Sequence, residues 1–329
     1  MSRVYGNFEL QNEADPKSSD FCAVFPMGSN LTNKPDSFLI KTILFTGLAL
    51  IAFAANSVLC RLALGESAID ASTFTIVRLL SGAIVLTVIL SISKLNSNSN
   101  SSTKGSWPAS IALFIYAITF SFAYVTLDTA TGALILFGSV QVTMILMSMF
   151  SGNRLHISEW FGMALAFTGF VYLILPGVTT PSVIGFFLMT VSGIAWGIYT
   201  LKGRGSKNPI MDTAFNFLRT LPFVIILAII TIKYAHYSSE GILLAVLSGS
   251  IASGIGYMIW YTALSGLSVT QAAVLQLLVP VIAAVGGVIF VSESISLRLT
   301  VSSAMILGGI LMVVLGRYYY LQLKTVGKT

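Results

Sequence analysis

The chain has 329 residues, of which 55% are hydrophobic and 9% are charged, and its mean hydropathy is +0.88. Soluble domains carry about 25% charged residues, so this composition excludes a soluble enzyme, a disordered protein and a disulfide-stapled secreted domain. The net charge of +6 would suit a nucleic-acid-binding protein only if the basic residues formed one patch, and they are spread along the chain instead. The chain is therefore predicted to be an integral membrane protein that partners the lipid bilayer and no nucleic acid.

Ten apolar stretches are long enough to cross a bilayer as helices, for which about 20 residues are needed. They lie near residues 39–62, 71–93, 108–127, 130–150, 158–175, 182–201, 213–233, 241–264, 268–291 and 298–316. None shows a sustained alternation of apolar and polar residues, which argues against membrane strands. The predicted fold is all-α with ten transmembrane helices, between a disordered polar leader at 1–37 and a short tail at 318–329.

The distribution of basic residues predicts the orientation. With the N-terminus inside, most of the 18 Lys and Arg residues fall in inner loops, and only Arg61, Lys233 and Arg298 fall outside. Because cytoplasmic loops are enriched in Lys and Arg, both termini are expected in the cytoplasm. We therefore expect a multi-pass protein of the bacterial inner (plasma) membrane.

An internal repeat divides the spans into two halves, at 38–176 and 182–317. Phe215 and Arg219 follow Phe74 and Arg78 at an offset of 141 residues, and further matches occur at nearly the same offset. Each half holds five spans, and because five is odd, the second half enters the membrane from the opposite side. Inverted repeats of this kind are typical of secondary transporters, which bind substrate near the bilayer midplane between the halves.

The order and spacing of short motifs resemble those of EamA-type members of the drug/metabolite transporter superfamily, over roughly residues 40–317. The matching motifs are the two Phe-x3-Arg segments, Ala195-Trp196-Gly197, Tyr261-Thr-Ala-Leu264 with Leu277-Leu-Val-Pro280, and Ser292-Glu293-Ser-Ile295. The first half departs from the family pattern at Asn153, where Glu is usual, and at Gln141, where Pro is usual. The resemblance implies a ten-helix carrier, often an exporter of amino acids or other small metabolites, without naming a substrate.

Polar amides and aromatic residues inside spans are the candidate substrate-binding residues. They are Asn56, Tyr124, Gln141, Trp196, Tyr199, Tyr257, Trp260 and Gln276. An amide offers both donors and acceptors to a polar substrate, and aromatic rings form the walls of apolar cavities. The alternatives are amides that only join neighbouring helices and aromatic rings that face lipid or the membrane interface.

Three further residues are candidates for structural or gating roles. Arg78 and Arg219 each lie about 10 Å into a span, where a charge is costly unless it is paired. They are expected either to face the cavity between the repeats or to snorkel to backbone carbonyls and lipid phosphate near the ends of their helices. Pro280 is expected to bend its helix, because proline cannot donate to the helical hydrogen-bond ladder.

No catalytic, cofactor or metal motif accompanies these residues. No Asp or Glu lies mid-span, which argues against an antiporter that trades a proton on an embedded carboxylate, and Cys22 and Cys60 suggest no disulfide or metal cluster. We therefore predict that the protein is not an enzyme and uses no cofactor. It is expected to be a secondary carrier that exports an amino acid or related compound by alternating access. The alternatives are a drug or nucleotide-sugar carrier and a non-transporting scaffold or receptor, and a homodimer is left open.

Overall fold

The computed structural model describes residues 36–95, 104–150, 157–174, 181–203, 206, 208–264, 266–267 and 275–326. Within these ranges the chain forms ten helices, in the order of the predicted spans. They are α1 Asp36–Gly65, α2 Ala71–Leu95, α3 Trp107–Tyr124, α4 Thr129–Phe150, α5 Ile157–Ile174, α6 Val183–Gly203, α7 Pro209–Tyr234, α8 Ser239–Leu264, α9 Val279–Phe290 and α10 Leu297–Val326.

The predicted all-α membrane fold is confirmed. Seven of the described helices are long and apolar enough to cross a bilayer, and shorter apolar stretches belong to α5, α9 and α10. Among the described residues, the only β-type pairing is an isolated bridge between Ile69 and Tyr237. The predicted leader lies outside the described residues, except that α1 already begins at Asp36. Helix α10 continues past the predicted end of the second repeat at 317, into the predicted tail.

Helix α7 consists of two α-helical segments, Pro209–Leu218 and Leu221–Thr231, followed by one turn of 3₁₀ helix. The break at Arg219 and Thr220 directly precedes the segment that carries Pro222 at its first turn. Proline lacks an amide hydrogen and its ring crowds the preceding turn, so the chain starts a new helix there. This places Arg219 at a helix end rather than in a continuous span.

Helix α8 contains a π-helical segment, Ser248–Ile255, between two α-helical segments. The segment is rich in glycine and serine and packs on α2. A Cβ atom on Gly249 would overlap the Arg78 carbonyl oxygen and the Ser81 hydroxyl, so only glycine permits this close approach. Segments of π helix occur frequently at functional sites, where the extra residue redirects side chains.

The strongest pairings in the bundle join α5 to α10, α3 and α4 to α6, α2 to both α7 and α8, and α4 to α9. The α5–α10 contact is close because Gly162 and Gly309 each face the other's backbone oxygen. We call the end of the bundle with loops 66–70, 125–128, 181–182, 235–238 and 291–296 the predicted outer end. The opposite end, with 104–106, 206, 208 and 266–267, is the predicted inner end.

Candidate functional site

A small cavity lies inside the bundle, between α1, α3, α4, α6 and α8. Its volume is about 10 Å³, which has room for roughly one water molecule. It is lined by Phe53, Asn56, Tyr116, Phe120, Leu136, Phe137, Trp196 and Tyr257. A polar amide, two tyrosines and an indole within an otherwise apolar wall are typical of a small-molecule site.

Arg78 on α2 lies behind this cavity and is almost completely buried, with 1% of its surface exposed. Its Nε donates to the Ser253 hydroxyl at 3.1 Å. Its Nη2 donates to the hydroxyls of Tyr116 at 2.9 Å and Tyr257 at 3.1 Å. The guanidinium also lies over the ring of Phe120, 4.7 Å from its centroid. Arg78 therefore joins α2, α3 and α8 around one charge.

The Tyr116 hydroxyl is the centre of the polar network. Besides Arg78, it accepts from Nδ2 of Asn56 at 3.2 Å and lies 3.0 Å from the Tyr257 hydroxyl. The Asn56 Oδ1 in turn accepts from the Ser248 hydroxyl at 2.6 Å. The two serines that complete the network, Ser248 and Ser253, both lie in the π-helical segment of α8.

The apolar wall is a cluster of aromatic rings around Phe53. Edge-on contacts join Phe53 to Trp196, Tyr257 and Trp260, with centroids 5.8, 5.9 and 5.6 Å apart. The Trp196 ring also lies 4.6 Å from Tyr257 and 4.9 Å from Tyr116. Such ring pairs add about 1 kcal/mol each beyond area burial. They hold the polar network and the apolar wall as one unit.

Several buried donors in this region have no hydrogen-bond partner within the described part of the chain. They are Nη1 of Arg78 and the indole nitrogens of Trp196 and Trp260. Buried polar groups are normally hydrogen-bonded, so unpaired donors of this kind point to an absent acceptor. No group of three His, Cys, Asp or Glu side chains in the described ranges could hold a metal ion.

The structure brings five of the predicted site residues together, namely Asn56, Arg78, Trp196, Tyr257 and Trp260. Their side chains come from α1, α2, α6 and α8, and they converge on the cavity through the contacts given above.

Four other predicted binding residues are buried outside the cavity lining. The Tyr124 hydroxyl donates to the Thr129 carbonyl at 3.3 Å, at the predicted outer end. The Tyr199 ring packs behind Trp196, with centroids 5.5 Å apart. Gln141 and Gln276 are buried on α4 and just before α9.

Arg219 differs from the cavity-facing expectation. It donates to the Lys104 carbonyl and lies 5.8 Å from the centroid of the Trp107 ring, as its snorkelling alternative requires. Pro280 lies in the first turn of α9 and follows a two-residue break after the helical residues 275–276, so the bend expected at this proline stays a prediction.

Sequence reasoning missed Phe53, Tyr116, Phe120, Ser248 and Ser253. One signal was present: Tyr116 and Tyr257 are 141 residues apart, the offset that also relates Arg78 to Arg219. The two tyrosines therefore occupy equivalent places in the predicted repeat, and their hydroxyls meet beside the cavity. The serines carried no such signal, because small polar residues are frequent in all membrane helices.

At the predicted outer end, an ion-pair cluster joins three parts of the chain. Arg61, at the end of α1, lies 3.6 Å from the Asp128 carboxylate and 3.3 Å from the Glu293 carboxylate. Glu293 also accepts from the backbone nitrogen and hydroxyl of Thr129, at 2.9 and 3.1 Å. We call Arg61, Asp128 and Glu293 the outer clamp. A pocket of about 270 Å³ borders it.

Loops from both halves also meet at Asp70, at the same predicted outer end. Its carboxylate caps α2 through the amides of Ser72 and Thr73, and it accepts from the His236 amide at 2.9 Å. Burial acts to raise the pKa of Asp70, but hydrogen bonds from Thr73, His236 and Ser72 outweigh it, so the pKa lies below its usual value.

The predicted inner end has a similar connection. Asp212, in the first segment of α7, accepts from the Gly105 amide at 2.8 Å and from the Ser206 hydroxyl. Asn216 accepts from the Ser106 amide at 2.9 Å. Both ends of the described bundle are thus tied by hydrogen bonds between the two halves of the sequence.

Comparisons with known proteins agree with this architecture. Residues 183–315 match the model of the EamA-like transporter family. An uncharacterized protein of Pseudomonas aeruginosa is 45% identical over 277 residues, covering 84% of this chain and 96% of its own length. An uncharacterized transporter of Archaeoglobus fulgidus is 28% identical over 204 residues, 61% of this chain and 73% of that protein. A solved crystal structure at 20% identity covers 82% of this chain and 98% of its own, with a TM-score of 0.54, and so shares the fold.

Proposed function

Since this chain belongs to the EamA-like transporter family of the drug/metabolite transporter superfamily, and is thus a membrane transporter, we propose that it carries an amino acid or related small metabolite. Transport occurs as a secondary process, by alternating access between two inverted repeats, and export is the favoured direction. The chain acts as a carrier and not as an enzyme.

The central cavity is the observation that carries this proposal. Helices α1, α3 and α4 of the first repeat supply most of its lining, and α6 and α8 of the second repeat supply Trp196 and Tyr257. A site between repeats is where an inverted-repeat carrier binds its substrate. Since the cavity has room for about one water, this conformer is closed, and binding requires the helices to separate.

The chemistry of the cavity supports the substrate class. The amide and hydroxyl groups of Asn56, Tyr116 and Tyr257 can hydrogen-bond to a substrate headgroup that carries acceptor atoms. The aromatic rings of the cavity wall can pack against an apolar part of the substrate. The buried charge of Arg78 repels a cationic drug. A nucleotide sugar, whose phosphates would suit a guanidinium, requires a much larger opening and is kept as the alternative.

The connections at the two ends support alternating access. Asp70 binds the loop before α8 and Asp212 binds the loop before α3, so corresponding loops of the two halves are held by a carboxylate at opposite ends. Opening either end requires breaking one such set of hydrogen bonds. In the proposed orientation, with both termini in the cytoplasm of a bacterium, export means that the substrate binds at the inner end and leaves at the outer end.

Counterflow in proteoliposomes tests the proposal. Vesicles preloaded with an unlabelled amino acid are given the same labelled compound outside, over a panel of amino acids. We expect saturable exchange that Trp196→Ala and Asn56→Ala each reduce by about tenfold or more, the loss expected for one or two buried contacts. Trp160→Ala is the matched control, because that indole is 55% exposed at the start of α5.

The absence of counterflow for every amino acid would exclude this substrate class. The same vesicles then distinguish the alternatives with panels of nucleotide sugars and cationic drugs. If no compound of any panel were transported, a non-transporting scaffold would be favoured. If Trp160→Ala reduced counterflow as much as Trp196→Ala does, the proposal that the substrate binds in the cavity would be wrong.

A further inference from the structure

Arg78 carries a permanent positive charge inside the bundle without a counter-ion among the described residues. Both ion pairs that the described ranges contain belong to Arg61. The hydrogen-bond partners of Arg78 are three neutral hydroxyls, on Ser253, Tyr116 and Tyr257. An uncompensated charge at this depth is strongly unfavourable in a membrane protein, and such residues mark substrate or ion pathways.

The network around Arg78 also contains more hydrogen-bond donors than acceptors. The Tyr116 and Tyr257 hydroxyls each accept from Arg78 Nη2 and share one hydrogen bond between them. Two hydroxyl protons serve that single bond, so one proton remains without an acceptor in the described structure. Nη1 of Arg78 and the indole nitrogen of Trp196 are unpaired as well.

Three of these residues line the cavity. Tyr116, Tyr257 and Trp196 belong to its wall, and the Arg78 guanidinium carbon lies 5.1 Å from the centroid of the Tyr116 ring. The charge is therefore one side chain behind the cavity wall. A buried positive charge beside neutral hydrogen-bond donors favours an anion that carries several acceptor atoms.

We propose that Arg78, Tyr116, Tyr257 and Trp196, the donor cluster, form the seat of a single substrate carboxylate, and that this carboxylate decides which substrates bind. The proposal rests on the proposed function, because it uses the same cavity. A planar carboxylate accepts from a guanidinium and adjacent hydroxyls through two oxygens, and these charge-assisted bonds are the strong ones.

The same cavity residues offer little to a substrate ammonium group, so binding should not require one. Among the described residues no carboxylate lines the cavity, and a positive group there is repelled by Arg78. The aromatic walls offer an ammonium only weak ring contacts. An acid without the amino group should therefore bind at least as tightly as the amino acid itself, whereas replacing the carboxylate by an amide should weaken binding.

Isothermal titration of the purified full-length carrier tests this with four ligands of the same body. They are hydrocinnamate, phenylalanine, hydrocinnamide and phenylpropylamine. We expect hydrocinnamate to bind at least as tightly as phenylalanine, and both to bind roughly ten- to a hundredfold more tightly than the amide and the amine, as for a hydrogen bond to a charged group. Equal binding of acid and amide would overturn the proposal.

Variants then assign the preference to the donor cluster. Arg78→Gln should reduce the acid-to-amide preference to near one, and Arg78→Lys should restore only part of it, because a lysine lacks the planar fork. If Arg78→Gln does not fold, the Tyr116→Phe and Tyr257→Phe variants keep the rings and remove only the hydroxyls, and their combination should lower the preference several-fold. An unchanged preference in that folded double variant would also overturn the proposal.

The matched controls are Arg298→Gln and Tyr172→Phe. These side chains contact each other, with the guanidinium 5.8 Å from the ring centroid, away from the cavity lining. They should leave the acid-to-amide preference unchanged.

The two proposals fail separately. Acid preference without amino-acid counterflow would keep the carboxylate seat and reject the amino-acid carrier. Amino-acid counterflow with equal binding of acid and amide would keep the carrier and reject the seat.

Discussion

Arg78 and Arg219 occupy equivalent positions in the predicted sequence repeat but have different surroundings. Arg78 is held by three hydroxyls inside the bundle, whereas Arg219 reaches a backbone carbonyl at the predicted inner end. The difference arises because α7 is interrupted before Pro222, while α2 is continuous through Arg78. One repeat thus keeps its arginine beside the cavity, and the other uses it to fix a helix end.

At the residue scale, Asp70 predicts an acid-sensitive contribution to stability. Its pKa is lower in the folded protein than in the unfolded chain, where it is about 3.9. The stabilisation is therefore present above that value and is lost as the pH falls through the folded pKa. Asp70→Asn removes the charge and keeps only one acceptor oxygen for the Ser72, Thr73 and His236 amides. It should therefore lower the melting temperature in detergent at pH 7, by an amount that corresponds to about 1 kcal/mol.

The difference between wild type and Asp70→Asn should narrow as the pH is lowered from 7 to 3. Melting curves across this range measure it. Glu240→Gln is the control, because Glu240 is exposed in the first turn of α8. A difference that stayed constant down to pH 3 would contradict the assignment of the effect to the Asp70 carboxylate.

At the element scale, the π-helical segment of α8 determines how the site is assembled. It presents Ser248 to Asn56 and Ser253 to Arg78, five residues apart on one helix. Gly249 of this segment has no side chain, so the backbone of α2 at Arg78 lies directly against the backbone of α8. The position of the Arg78 side chain therefore depends on the local geometry of a different helix.

Gly249→Ala should disrupt that contact. The added methyl group would overlap the Arg78 carbonyl and the Ser81 hydroxyl, so α2 and α8 must separate. Overpacking of this kind costs about 1–3 kcal/mol, which should appear as a lower melting temperature together with weaker substrate binding. Gly47→Ala is the matched control, because nothing lies within 4 Å of the added atom. Equal melting temperatures for the two variants would refute the close contact.

At the scale of the whole molecule, the outer clamp holds α1 against α4 and the loop before α10. Glu293 is the inner member, with 12% of its side chain exposed, whereas Asp128 is 62% exposed. Because exposed ion pairs contribute little free energy, Glu293 should contribute more than Asp128 to keeping the predicted outer end closed. Glu293→Gln should open the predicted outer end more often, and Asp128→Asn should have little effect.

Labelling of an introduced cysteine measures this opening. Thr131→Cys lies in the pocket beside the clamp, in a background with Cys22→Ser and Cys60→Ala. An impermeant maleimide added to intact cells should react several-fold faster when Glu293→Gln is present. An unchanged rate would reject the clamp as a closure, and reaction only after the cells are opened would reject the predicted orientation.

Physical constraints on individual segments made much of the architecture predictable. Hydrocarbon requires every span to satisfy its own backbone hydrogen bonds, so apolar length alone predicts the ten helices. The repeat offset relates Tyr116 to Tyr257, and aromatic and amide residues inside spans indicated Asn56, Trp196 and Trp260. These signals are local or depend on sequence spacing, so they need no knowledge of packing.

The meeting of Arg78 with Ser253, which is 175 residues away, was decided by the tertiary structure alone. The tertiary structure also decided the different surroundings of Arg78 and Arg219, the helix break before Pro280, and the exclusion of Gln141 and Gln276 from the cavity lining. Each depends on how a helix is rotated and how closely its neighbours approach. In a bundle that is apolar on every face, hydrophobic periodicity does not specify that rotation. Close contacts at small residues such as Gly162 and Gly249 do.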